Sequence, residues 1–108
     1  MQQTVPAGLG SVPPGWDDLR VQARRIERDV DARLATIMDA KTPDSELVEI
    51  ESALRQLSEI HDSMNRVISQ YAPGNSGLAI TLQRHRELLS SYRNDIRTVK
   101  GKLAADRE

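Results

Sequence analysis

The sequence predicts an all-α protein: an antiparallel three-helix bundle with left-handed, coiled-coil-like packing. Apolar residues recur at spacings of three and four along three separate segments, which places them on one face of each helix. The connections between the segments are short, so successive helices should pack antiparallel as neighbours. The apolar–polar alternation of a half-buried strand does not occur in the sequence.

The chain has 108 residues, which suffice for one domain with a modest core. We expect residues 1–14, rich in Pro and Gly, to form a flexible tail and residues 15–105 to form the bundle. A net charge of -1 and only three aromatic residues argue against nucleic-acid binding. The sequence has no apolar run of the roughly 18 residues that span a bilayer, so we expect a soluble domain. It also has no cysteine, which fits a reducing cytosol.

The first helix is predicted over residues 15–40. Its exposed face is charged, and Asp29 with Arg33 has the favourable acid-first order at a spacing of four. The predicted inward stripe consists of Trp16, Leu19, Ala23, Ile26, Val30, Leu34 and Ile37.

The second helix is predicted over residues 43–72. Thr42 is a typical N-cap, Pro43 suits the first helical position, and Asp44 suits the positive end of the helix dipole. The predicted inward stripe consists of Leu47, Ile50, Leu54, Leu57, His61, Met64, Ile68 and Tyr71.

The third helix is predicted over residues 77–104. The segment from Pro73 to Gly77 breaks the second helix and offers Asn75 or Ser76 as the next N-cap. The predicted inward stripe consists of Leu78, Leu82, His85, Leu89, Tyr92, Ile96, Val99 and Leu103.

His61 and His85 are the candidates for acid–base chemistry or metal binding, and both lie on inward stripes. Pairing of the second and third helices puts them in neighbouring layers, without any carboxylate at the spacing that a metal site or a proton relay needs. We therefore predict bundle histidines, with a pH-sensitive layer and a metal site as the alternatives. The sequence predicts no catalytic residue, no cofactor and no metal site.

Charge is distributed unevenly between the second and third helices. Residues 42–72 carry six acidic and two basic residues, whereas residues 73–108 carry seven basic and four acidic ones. Four of the basic residues recur at helical spacing on the third helix, as a candidate partner-binding stripe: Arg86, Arg93, Arg97 and Lys100. The stripe is either a solvated face that complements the second helix or a docking strip for an acidic partner helix or lipid headgroups.

Two segments resemble a known family. The first begins with Trp16, Leu19 and Arg20, and the second contains the pattern Thr-Leu-x-Arg-His-x-Glu-x-Leu. The residues of that pattern are Thr81, Leu82, Arg84, His85, Glu87 and Leu89. Together the segments resemble the N-terminal region of the Golgi Qb-SNARE family, Golgi SNAP receptor complex member one.

The resemblance implies an N-terminal three-helix domain of the Habc type in a tail-anchored protein at the cytosolic face of the Golgi membrane. It further implies that a SNARE motif and a membrane anchor, both absent here, would follow in the full-length protein. The expected role is regulation or recruitment in ER–Golgi and intra-Golgi vesicle transport and membrane fusion. The expected partners are other SNARE proteins or tethering factors.

A second hypothesis is a structural spacer or homodimerising coiled coil, in which helices of two chains pair. The break from Pro73 to Gly77 favours a hairpin within one chain, so we predict that the isolated domain is a monomer.

Overall fold

The computed structural model describes residues 12–107. It contains helix α1 (Trp16–Thr36), helix α2 (Pro43–Tyr71) and helix α3 (Ser76–Asp106), with a short 3₁₀ turn (Ile37–Asp39) after α1. Among these residues all regular structure is helical, and the helices pack against one another. The structure confirms the predicted all-α three-helix bundle.

The start of α1 depends on the residues just before it. Gly15 is the N-cap and has a φ of 83°, a left-handed conformation that favours glycine. Pro13 is buried, and its carbonyl oxygen accepts a hydrogen bond of 3.2 Å from the amide of Trp16. Residues 1–11 of the predicted tail lie outside the described residues.

The other two helix starts follow the predicted signals in different ways. Asn75 is the N-cap of α3, and its side-chain oxygen accepts a 3.0 Å hydrogen bond from the amide of Leu78. This confirms the expectation that Asn75 or Ser76 takes this position. Thr42 is the N-cap of α2, but its side chain makes no capping hydrogen bond, so Pro43 and the first-turn acids supply the start signal.

The core consists of two clusters along the bundle. The larger cluster joins all three helices around Ala23, Val30, Ile50 and Leu57, whose side chains are completely buried. The smaller lies near the α2–α3 turn and contains Trp16, Met64, Ile68 and Leu82. Along α1 and the first residue of the 3₁₀ turn, the fully buried apolar residues recur every seven positions, as the heptad spacing requires: Trp16, Ala23, Val30 and Ile37.

Ion pairs join the ends of neighbouring antiparallel helices. Arg33, near the end of α1, contacts Asp29 and, at 3.1 Å, Glu46 in the first turn of α2. The contact with Asp29 confirms the predicted i,i+4 pair. Arg107, just after α3, binds Asp44 at the start of α2.

Tyr71 does not belong to the core, although its spacing placed it on the inward stripe of α2. Its side chain is 55 % exposed. Tyr71 is the last residue of α2, and the chain turns away immediately after it. The heptad pattern therefore continues one position beyond the packed part of the helix.

Candidate functional site

The predicted basic stripe borders a groove between α2 and α3, which we call the basic groove. Two buried apolar residues, Leu54 and Ile96, lie between charged side chains. The charged lining residues are Glu51, Arg55, Arg93, Arg97 and Lys100. Three members of the predicted stripe thus meet in one groove, together with Arg55 from the opposite helix.

The fourth member of the stripe, Arg86, lies two helical turns from Arg93 and does not line the groove, although it is exposed. Lys100 is partly neutralised by Glu51, whose carboxylate accepts its hydrogen bond at 2.6 Å. Within residues 12–107, neither Arg55 nor Arg93 forms an ion pair. The groove therefore keeps a positive charge that α2 does not cancel.

A second cationic surface, which was not predicted from the sequence, lies between α1 and α3. We call it the arginine groove. Arg20, Arg24 and Arg28 follow one another at spacings of four on α1, and Arg84 faces them from α3. The spacing is visible in the sequence, but Arg84 can be assigned to the same surface only once the packing of α1 on α3 is known.

A polar layer formed by Glu27, His61, His85 and Tyr92 adjoins the arginine groove, which Glu27 and His85 line. Glu27 is only 7 % exposed. Its carboxylate oxygen Oε2 accepts a hydrogen bond of 2.6 Å from Nδ1 of His85. The hydroxyl of Tyr92 donates to the backbone carbonyl of Glu27 at 3.1 Å. Burial raises the pKa of Tyr92, so its hydroxyl remains a donor.

This layer corrects one step of the sequence analysis. The expectation that the two histidines have no carboxylate at a suitable distance is wrong, because Glu27 provides one from α1 rather than from α2 or α3. Glu27 follows Ala23 by four residues and precedes Val30 by three, a position on the flank of the buried stripe that could have indicated burial.

His61 completes the layer from α2. It is 2 % exposed, and neither ring nitrogen has a hydrogen-bond partner among the described residues. Its ring centroid lies 6.0 Å from that of His85. Burial, together with the nearby charge of His85, lowers the pKa of His61 to about 4, so the ring is neutral at pH 7.

The two sequence segments that carry the family resemblance meet in space. Trp16 and Leu82 pack in the smaller core cluster, with Leu19 alongside. Arg20 and Arg84 both line the arginine groove. The other residues of the second segment have different surroundings: Leu89 is buried, Glu87 is exposed, and the Thr81 hydroxyl donates to the carbonyl of Gly77.

Comparison with known proteins gives the family. The family described as GOSR1 N-terminal domain matches residues 35–108, more than half of the chain. The chain belongs to this family. This confirms the resemblance found in the sequence and makes the chain an N-terminal domain of a Golgi SNARE of the GOSR1 family.

Individual GOSR1-family relatives agree with this assignment. The chain is 28% identical to Golgi SNAP receptor complex member 1-2 of Arabidopsis thaliana over 87% of the chain and 51% of the relative. It is 30% identical to Golgi SNAP receptor complex member 1 of Caenorhabditis elegans, over 79% of the chain and 46% of the relative. The human protein of that name is 28% identical over 86% of the chain and 50% of its own length.

The chain thus spans about half the length of these GOSR1-family relatives. No solved structure matches it significantly. In the described part of the chain, none of the helices has the length and apolar character needed to cross a bilayer.

Proposed function

We propose that this chain is a non-catalytic regulatory and recruitment domain, which acts in Golgi vesicle transport by binding helical segments of other proteins. Membership of a Golgi SNARE family supports a place at the Golgi membrane and partners among SNARE proteins. The observation that carries the binding role is the basic groove, in which an apolar floor lies between uncancelled cationic side chains.

The groove suits an amphipathic helix with acidic flanks. Leu54 and Ile96 offer apolar contact at its floor, while Arg55 and Arg93 can pair with carboxylates on either side of a bound helix. A SNARE motif that follows this domain in the full-length protein is one such helix, and binding it would be autoinhibitory. A tethering factor or another SNARE protein is the alternative occupant.

Chemical-shift mapping tests this proposal. The isotopically labelled chain is titrated with a peptide of the SNARE motif from the same full-length protein and, separately, with partner SNARE motifs. We expect shifts along α2 and α3 around Arg93, and a loss of about tenfold in affinity when Arg93 and Arg97 are both replaced by Glu. Lys102→Glu is the matched control, because Lys102 is exposed on the same helix but does not line the groove.

Each outcome has a clear meaning. Shifts with the peptide of the same protein support autoinhibition, and their absence rules it out. Equal binding by the Arg93→Glu/Arg97→Glu variant and by the control contradicts the basic groove as the binding surface.

The competing function is a homodimeric spacer. Sedimentation of the isolated chain separates the two functions, since recruitment by a folded bundle predicts a monomer at all concentrations. A dimer that dissociates on dilution would favour the spacer.

A further inference from the structure

The polar layer has a property that the proposed function does not use. A neutral imidazole has one donor and one acceptor nitrogen, and in His61 both are buried without a partner among the described residues. Burying polar atoms in this way costs folding free energy that an apolar residue of similar size would not cost. The ring nevertheless faces the other two members of the layer that can bind a cation.

We infer that Glu27, His61 and His85 form a binding site for a transition-metal ion of the zinc type. One carboxylate oxygen and one nitrogen from each histidine lie within 4.8 Å of one another. A point at the centre of such a triangle is at most about 2.8 Å from each atom, so movements of well under 1 Å give the usual Zn–N and Zn–O lengths of about 2.0–2.2 Å.

The donor set determines the kind of ion. Two imidazole nitrogens and one carboxylate oxygen are typical ligands of Zn²⁺, whereas Mg²⁺ and Ca²⁺ prefer oxygen ligands alone. Cu²⁺ and Ni²⁺ also accept imidazole, and Co²⁺ serves as a spectroscopic substitute for zinc. A water molecule or an anion would complete four-coordination.

Metal binding would replace a proton. Nδ1 of His85 donates a hydrogen bond of 2.6 Å to the carboxylate of Glu27, and an ion bound between these groups and His61 would displace the proton of that hydrogen bond. The side chains of Glu27 and His85 line the arginine groove, which gives the ion a route from solvent. Because each ligand comes from a different helix, the ion would tie α1, α2 and α3 together at one level.

The test uses the untagged chain at pH 7.5 and about 0.15 M salt, where the charge of the neighbouring arginines is screened. Cobalt is added while visible absorption is recorded, because tetrahedral Co²⁺ absorbs far more strongly than the hydrated ion. We expect one Co²⁺ per chain, displaced by Zn²⁺. At free Zn²⁺ a hundred times the Kd, we expect the Tm to rise by roughly 10 °C or more.

Two variants and one control make the result specific. His61→Leu should still fold, because it removes two unpaired buried atoms. Since it also removes one ligand, the visible bands and the Tm rise should both disappear. Glu27→Gln should weaken binding at least tenfold. Asp62→Asn, a neutralised exposed acid beside His61, should bind like the wild type.

The inference is overturned if the wild type gives neither visible bands nor a Tm rise. It is also overturned if folded His61→Leu binds Co²⁺ as tightly as the wild type. In either case the layer is held by the hydrogen bonds of Glu27 with His85 and Tyr92 and binds no metal ion.

Discussion

Acidification from pH 7 to pH 5 should destabilise the metal-free fold through His61. Its pKa is about 4 in the folded chain, because the ring is buried, compared with 6.5 when exposed. The unfolded chain therefore takes up a proton at His61 at a pH where the folded chain does not. The contribution that neutral His61 makes to the free energy of unfolding is present above pH 6.5, and it is lost progressively as the pH falls towards 4.

The size of the effect follows from the difference between the two pKa values. The full shift corresponds to about 3 kcal/mol at roughly 1.4 kcal/mol per pKa unit. About 2 kcal/mol of it is lost between pH 7 and pH 5, where the unfolded state is almost fully protonated at this ring and the folded state is not. For a domain of this size, a loss of 2 kcal/mol is a large part of the total stability.

The assay is urea unfolding followed by circular dichroism, in a chelating buffer, at pH 7, 6 and 5. His61→Leu is the matched variant, since it keeps every other titrating group. It should be about 1 kcal/mol more stable than the wild type at pH 7, because two unpaired buried atoms are gone, and the gap should widen to about 3 kcal/mol at pH 5. Parallel pH profiles for the two proteins would show that His61 does not titrate with a lowered pKa in the folded chain.

Three further predictions concern the fold and are checked by the same urea unfolding. Tyr92→Phe loses the hydrogen bond to the Glu27 carbonyl and should lower the free energy of unfolding by about 1 kcal/mol. Tyr71→Phe, at an exposed site, should not change it measurably, and equal losses in the two variants would contradict the contact of Tyr92. Trp16→Ala empties a site that is 1 % exposed and should cost about 3–5 kcal/mol; a cost below 1 kcal/mol would place Trp16 outside the core. Asn75→Ala removes the cap of α3 and should cost about 1 kcal/mol, and an unchanged stability would show that the cap is dispensable.

The helices could be predicted from the sequence because their signals are local. The spacing of buried residues on α2, from Leu47 to Ile68, lies entirely within one segment, and so do the Pro43 and Asn75 start signals. The end of α1 was predicted less accurately. The sequence predicts helix to residue 40, but the α-helix ends at Thr36 and continues only as a 3₁₀ turn, which still buries Ile37.

The candidate sites were only partly predictable because their members come from different helices. The basic stripe on α3 is a periodic pattern, but the contribution of Arg55 depends on how α2 packs against it. Glu27 and His85 are separated by 58 positions, so no spacing rule connects them. A glutamate that lies among arginines on an amphipathic helix is also expected to be exposed to solvent. Glu27 is buried only because α1 packs against α3 at this position.

The polar layer joins α1 to α3 through Glu27 and His85. A buried carboxylate without a partner would cost several kcal/mol, and Glu27 avoids this cost only because His85 lies opposite it. The layer also favours one register of α1 against α3, since a shift of either helix would separate the two side chains and break their hydrogen bond. Trp16 and Leu82 lie in the same smaller core cluster, and this apolar packing favours the same register. The first and third helices are thus held together by the polar contacts of Glu27 with His85 and Tyr92 and by the apolar packing around Trp16.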